Sequence, residues 1–379
     1  MSYASYNITL EMFERDIKHF QAENLSEVDF CKLMMRNEAC RISNVTDRWQ
    51  ANEWTVPATG EVNVRVLEDL FGECTVPVAD CQRTEYDSQP KQEMSMKDYL
   101  DYWKSYRRPT IREDAWGSIE RGNCLYLKDW HMQLGLPHYR AYEVPTYFAS
   151  DWLNEYWLGK RGTADDYRFV YIGPQGSWTP LHCDVFGSYS WSANVCGKKL
   201  WLLLLPGEET FYRYDDGKLV YDLTEIDLQR CPRAEEHRSA GGPIVVMQNP
   251  GEVVFVPSGW HHQVLNVTDT ISINHNWFNR FNLAFVVERL CAAEAEVMDT
   301  LDFMQGDDDF RNQVEIVLRA HHGMNRTDLQ EILAFIAERR MASNEPASTP
   351  DRLLDLESCR KYSTDEVLND QISGYLSNR

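Results

Sequence analysis

The segment Thr179-Pro-Leu-His182-Cys-Asp184 puts an imidazole and a carboxylate two residues apart. On a β-strand, side chains at i and i+2 share a face, so His182 and Asp184 point the same way. Alone, such a pair is more often a surface contact or a satisfied core histidine than a site. Eighty residues after His182, Gly251-Glu-Val-Val-Phe-Val-Pro-Ser-Gly-Trp-His-His262 carries an apolar strand into a Pro/Gly turn and ends on two histidines. The rigid end of a strand is a good place to hold a metal. One of these histidines, added to His182 and Asp184, gives two imidazoles and one carboxylate. That is the facial triad of non-haem Fe(II) oxygenases, which leaves three coordination positions open. Zinc is the rival metal, but structural zinc takes four protein ligands, usually with cysteine. No fourth ligand accompanies these three, and Cys183 faces away from His182 on a strand. Adjacent strand residues face oppositely, so only one of His261 and His262 can ligate. Spacing alone leaves that choice open, and the other histidine is then a rim or supporting residue.

Lys199, seventeen residues after His182, opens the apolar run Leu200–Leu205. A lysine entering an apolar barrel needs an anion to offset desolvation, and a bound dicarboxylate supplies one. One of Lys198 and Lys199 is then an ordinary solvated turn residue.

The elements that must position these groups are short strands. Tyr167–Ile172 ends at Gly173-Pro174, and Val253–Val256 ends at Pro257-Ser-Gly259. Thr270-Ile-Ser-Ile-Asn274 alternates polar and apolar residues. Trp191–Val195, Cys196-Gly197 and Lys199–Leu205 read as a buried hairpin. Many short strands punctuated by Gly and Pro predict a barrel or sandwich. Residues 1–120 mix helix and strand signals, including a strand at Cys74–Val78 and a helix capped by Ser95. Residues 121–282 form the strand-rich centre. Residues 283–379 turn helical, with Thr327-x-x-Gln330 as a capping-box candidate, Phe281, Leu283, Phe285 and Val286 as a buried face, and a linker near 343–350. Trp191, Trp201 and Trp260 read as packing residues.

The chain has 379 residues, 38 Lys and Arg against 59 Asp and Glu, and a formal charge of −21. This balance disfavours binding to nucleic acid and favours a basic partner. The apolar fraction of 43% excludes a disordered chain. No run is long enough to span a bilayer, no signal peptide is visible, and the ten cysteines form no CxxC pair. The expected setting is therefore the cytoplasm, or the nucleus, with reduced thiols.

His182-x-Asp184, Lys199 and Pro257-Ser-Gly-Trp-His-His262 together resemble the JmjC-domain family of Fe(II)- and 2-oxoglutarate-dependent oxygenases. Leu125-Tyr-Leu-Lys-Asp-Trp-His131, Ser150-Asp-Trp-Leu-Asn-Glu-Tyr156, Asp166-Tyr-Arg-Phe-Val170, Ser190-Trp-Ser-Ala-Asn-Val-Cys-Gly197 and Asp269-Thr-Ile-Ser-Ile-Asn-His-Asn-Trp277 extend the resemblance over roughly residues 75–340. The first seventy and last forty residues match poorly. The resemblance implies a mainly β fold with surrounding helices: a double-stranded β-helix, the cupin-like jelly-roll barrel, with a C-terminal helical region. It implies Fe(II) on His182, Asp184 and His262, and so picks His262. It implies 2-oxoglutarate as co-substrate with O2, its distal carboxylate paired with Lys199 and flanked by Tyr126 and Thr179. Asn276 matches a polar position near the iron-side end. Some relatives carry Asn where this chain has Ser192, so Ser192 through water, or Asn194 two residues on, is the expected replacement contact.

The resemblance is strongest to a subgroup that hydroxylates a lysine of the eukaryotic translation-termination release factor. It implies a protein lysyl hydroxylase producing succinate and CO2 and acting on a partner with an accessible lysine, while the charge balance and the short apolar runs predict binding to neither nucleic acid nor membrane. The C-terminal helices are an expected homodimer surface, with helices covering a monomeric barrel as an equal alternative. A histone-lysine demethylase uses the same iron, but no Cys/His cluster suggests a histone-reading zinc module. An inactive scaffold is disfavoured because every ligand and the lysine are present, and a cupin with other metal chemistry is the remaining rival.

Overall fold

A computed structural model describes residues 15–108, 124–160, 166–343 and 350–377. The expected linker near 343–350 lies, except for its end residues, outside them. Among the described residues the strands form two sheets. The larger has nine strands in the order Lys18–Gln21, Cys40–Ser43, Val253–Val256, Tyr189–Cys196, Thr270–Trp277, Arg168–Gly173, Leu125–Trp130, Thr75–Asp80 and Lys91–Ser95. The smaller has four, Ile244–Gln248, Lys199–Leu204, His261–Asn266 and Trp178–Cys183. Two opposed, mostly antiparallel sheets of this connectivity are the expected cupin-type double-stranded β-helix.

Alternation along the large sheet sets two different faces. Leu127, Val170, Ile172, Ala193, Ile271 and Ile273 point outward into an apolar core shared with Phe30, Phe71, Leu100 and Trp103 of the N-terminal helices. Ser272, Asn274 and Asn276 take the opposite face, toward the barrel interior. The N-terminal strands extend the barrel's own sheet. Cys40–Phe255 and Ile42–Val253 are paired residues at one edge, and Thr75–Asp80 and Lys91–Ser95 lie at the other. As expected, Ser95 caps helix Met96–Ser105, its side chain accepting from the Asp98 amide.

The expected hairpin at 191–205 is not one. Tyr189–Cys196 pairs with Val253–Val256 and Thr270–Trp277 in the large sheet, whereas Lys199–Leu204 pairs with Ile244–Gln248 and His261–Asn266 in the small one. A tight turn between two apolar strands signals a hairpin only when both strands stay in one sheet, and here the chain turns a corner between sheets. Gly197 makes that corner at φ +75°, and a Cβ there would lie 2.0 Å from the Asp269 carbonyl oxygen.

Helices Leu283–Thr300, Phe310–His322, Arg326–Ala342, Pro350–Tyr362 and Glu366–Ser377 share a second core containing Leu290, Leu318, Ile336, Leu356 and Ile372. Arg340 ties them to the barrel side, bridging Glu155 at 2.8 Å and Asp355 at 2.8 Å. Two local readings are corrected. Phe285 is 41% exposed, although Leu283 and Val286 of the same expected face are buried. The capping box belongs to Asn325 and Asp328, not to Thr327 and Gln330, because the helix begins earlier and Asn is at least as good a cap as Thr. No helix among the described residues is long and apolar enough to cross a membrane.

Gly197→Ala combines a left-handed backbone with a main-chain clash. It is expected to cost about 3 kcal/mol in urea denaturation, and a loss below about 1 kcal/mol contradicts the corner geometry.

Candidate active site

Strands Trp178–Cys183 and His261–Asn266 run antiparallel with His182 directly opposite His262 and Cys183 opposite His261. Directly opposed residues share a face and bring their side chains within a few ångströms. The two imidazole centroids accordingly lie 4.2 Å apart. His261 turns to the other face, where its Nδ1 lies 3.8 Å from Glu209. Pro180 is tolerated in the middle of its strand because that strand is the edge of the small sheet.

Asp184 follows immediately in extended conformation (φ −61°, ψ 149°). The large sheet aims its carboxylate: Ser190 donates from Oγ at 2.6 Å and Asn276 from Nδ2 at 2.9 Å. Ligand atoms of His182, Asp184 and His262 all lie within 4.8 Å of one another. The imidazoles are set in the coordinating form. His182 Nδ1 donates to the Pro180 carbonyl at 2.8 Å, which leaves the Nε2 lone pair free. Burial, and then the neighbouring His182 ring, push His262 down to about 3, so it stays neutral. Two imidazoles and an oriented carboxylate suit a divalent iron with open positions.

These groups sit on a cavity of about 630 Å³ whose wall includes Tyr126, Thr179, Lys199 and Asn276. Lys199 is 2% exposed. Its Nζ donates to Ser272 Oγ at 2.6 Å and lies 5.8 Å from the Tyr171 ring centre. Burial holds this amine down to about 7. A buried amine that donates to a neutral hydroxyl is suited to receive a carboxylate. A dicarboxylate reaching from the histidine–carboxylate cluster to Lys199 therefore matches the donor set.

The structure does not bring Ser192 and Asn194 to this wall. Ser192 hydrogen-bonds Asn274 Oδ1 at 3.1 Å, so Asn274, which does line the cavity, stands in front of it. Asn194 bends back to donate to the Gly197 carbonyl at 2.6 Å, closing the sheet-to-sheet corner. Both share a face with Ser190, but the partner strand and the corner use their short polar groups first. Trp201, expected only to pack, also lines the cavity, 5.6 Å from the His262 ring.

Sequence reasoning passed over Ser190, Ser272 and Asn274. Their signal was the alternation Ser272, Asn274, Asn276 in a strand otherwise made of isoleucine and aromatic residues, since polar side chains on one inward face of a barrel strand must have partners. The contributions of Lys128, Asp129 and Tyr171 carried no such signal.

Comparison with known proteins gives a consistent picture. A family model described as "JmjC domain, hydroxylase" matches residues 169–277. The human "2-oxoglutarate and iron-dependent oxygenase JMJD4" is 43% identical over 333 residues, covering 86% of this chain and 77% of the human one. The zebrafish protein of the same name is 41% identical over 338 residues, covering 88% and 76%. The Arabidopsis thaliana "Arginine-specific demethylase JMJ20" is 37% identical over 361 residues, covering 90% and 74%.

Asn276→Ala removes a donor from Asp184 without touching either imidazole. Metal affinity, read by Fe(II) titration of the purified protein, is expected to fall about 10- to 100-fold; unchanged affinity shows that Asp184 needs no such support.

Proposed function

As the chain belongs to the JmjC-domain 2-oxoglutarate and iron-dependent oxygenases, we propose that it hydroxylates a lysine side-chain carbon of the eukaryotic translation-termination release factor. The observation that carries the proposal is the meeting of His182, Asp184 and His262 on the same cavity as the buried Lys199. In this reading His182, Asp184 and His262 hold the iron, and Lys199 holds the distal carboxylate of 2-oxoglutarate. Bound iron and 2-oxoglutarate supply the oxidising chemistry that inserts one oxygen atom of O2 into a C–H bond and leaves the other in succinate, with release of CO2.

The residues of the chain then do the rest. The hydrogen bonds from Ser190 and Asn276 keep both Asp184 oxygens oriented. Tyr126 and Thr179 line the same cavity as Lys199 and in this reading help to hold the distal carboxylate of 2-oxoglutarate. Leu181, Trp201 and Val264 provide apolar walls that limit water near the reacting carbon. The net charge of −21 favours a basic, lysine-bearing partner over a polyanion.

One observation supports a second reading. The Arabidopsis relative named an arginine-specific demethylase covers 90% of this chain. Demethylation begins with the same C–H hydroxylation, at an N-methyl group. Peptide mass spectrometry after incubation with recombinant release factor, iron and 2-oxoglutarate separates the two. Lysyl hydroxylation leaves the mass of one oxygen atom on a lysine, whereas demethylation removes a methyl group from a methylated peptide. His182→Ala is expected to abolish the modification with little change in thermal melting, because a ligand at a cavity wall is lost and no core is opened. Continued 2-oxoglutarate turnover in that variant removes His182 from the site.

Burial holds the Lys199 amine down to about 7, well below an ordinary lysine. A carboxylate partner restores its charge. At pH 8.5 the binding of 2-oxoglutarate is therefore expected to take up a proton, and affinity should fall as pH rises above about 7. Calorimetry in two buffers of different ionisation enthalpy measures this uptake. Proton-neutral binding contradicts the pairing.

A further inference from the structure

The cavity wall holds a second buried amine. Lys128 and Gln89 are 6% and 3% exposed, and both line the cavity. Lys128 Nζ donates to Gln89 Oε1 at 2.8 Å. The other end of that amide, Gln89 Nε2, is buried without a hydrogen-bond partner among the described residues. The neighbouring carboxylate, Asp129, is already engaged by Lys91 and by the Tyr171 hydroxyl. With both amines protonated, Lys91, Lys128 and Asp129 carry one more positive charge than negative. The groups left over here are N–H donors, from an ammonium and an amide, so the missing partner is an acceptor oxygen. Burial holds the Lys128 amine below the ordinary lysine range, as expected of a cation awaiting a partner.

The backbone is shaped to present this pair. The register of strand Leu125–Trp130 slips between Leu127 and Trp130, and Asp129 sits at φ +61°. Such a bulge re-aims side chains, and it lets the sequence neighbours Lys128 and Asp129 both reach the cavity. Just before Gln89, Glu85 and Ser88 exchange backbone hydrogen bonds of 2.8 and 3.0 Å across a two-residue turn. The turn residues Tyr86 and Asp87 are both left-handed (φ +50° and +60°), where Asn-Gly is the easy sequence, and the Tyr86 side chain is fully exposed. This strained turn lines the same cavity at its solvent side.

We propose that Lys128 and Gln89 form a subsite, separate from Lys199, that binds an acceptor oxygen of the protein substrate beside the target side chain. The acceptor is a main-chain carbonyl or a carboxylate. The inference rests on the protein-hydroxylase reading and adds to it where the substrate chain crosses, under the Glu85–Ser88 turn. The cavity is larger than a five-carbon acid fills, and Lys199 with Tyr126 and Thr179 already suits that acid. The Lys128–Gln89 end is thus left for the macromolecule.

The test compares wild type with Lys128→Met and Gln89→Leu, which remove donors and keep bulk, and with Gln89→Glu, which gives Lys128 an internal carboxylate. All three are expected to raise the KM for release factor about 10- to 100-fold while the KM for 2-oxoglutarate stays at the wild-type value. Lys128→Met is also expected to melt no lower than wild type, because it removes a desolvated charge; if it does not fold, the two Gln89 variants carry the comparison. An unchanged KM for release factor overturns the inference. So does a raised KM for 2-oxoglutarate, or weaker inhibition by succinate alone, since either gives the pair to the small acid. If wild type leaves release factor unmodified, the comparison is repeated on a library of lysine-centred peptides. Library substrates weakened in the variants keep the subsite and retire the release factor, and a library with no substrate at all retires both.

Discussion

The site depends on one antiparallel register. His182 stands opposite His262 because Trp178–Cys183 and His261–Asn266 are paired in that alignment and no other. Side-chain direction alternates along a strand, so a slip by one residue would turn His261 inward and His262 into the outer packing. The register is held from both sides. His261–Asn266 also pairs along its length with Lys199–Leu204, whose side chains are almost all inaccessible to water. The strand that delivers one imidazole is therefore also neighbour to the strand that delivers the buried lysine, and the distance between the two functions is set by hydrogen-bonded backbone, not by loops.

The cavity is polar inside and apolar outside, the reverse of a simple barrel core. Ser272, Asn274 and Asn276 project inward from the strand whose Ile271 and Ile273 seal the outer core. Burying these polar groups is tolerable because each has a partner: Lys199, Ser192 and Asp184 respectively. The two lysines stand differently. Lys199 and Lys128 are desolvated amines whose hydrogen-bond partners, a hydroxyl and an amide, are neutral, a cost to folding that a purely structural core avoids by using methionine or leucine. That cost persists where binding recovers it.

Much of this was legible in the residues. The His-x-Asp pair, the strand ending at Pro257-Ser-Gly259 and the two histidines after it mark a candidate metal site by type and spacing, with the choice between the two histidines left open. Strand positions followed from Gly/Pro punctuation, and Arg168–Gly173, Val253–Val256 and Thr270–Trp277 lie where these signals put them. Sheet membership was not legible. Cys196-Gly197 has the chemistry of a hairpin turn, and only the long-range pairing of both flanking strands shows it to be a corner. The fate of Ser192 and Asn194 was hidden for the same reason, because what a short polar side chain touches is decided by the facing strand. The bulge at Asp129 left no mark either, since an aspartate at positive φ is a local cost accepted for tertiary reasons.

The pairing of Cys40–Ser43 with Val253–Val256 also governs how this chain can be made. More than two hundred residues separate the partners, so on the ribosome the first strands emerge long before the strand that receives them. At typical translation speeds the wait is some tens of seconds, during which Cys40, Ile42 and the helix bearing Phe30 have no sheet to cover. Contacts of such sequence separation also slow folding after release. The central strand Thr270–Trp277, which joins Tyr189–Cys196 to Arg168–Gly173, is made later still, so the N-terminal strands can pair with Val253–Val256 before the large sheet is continuous.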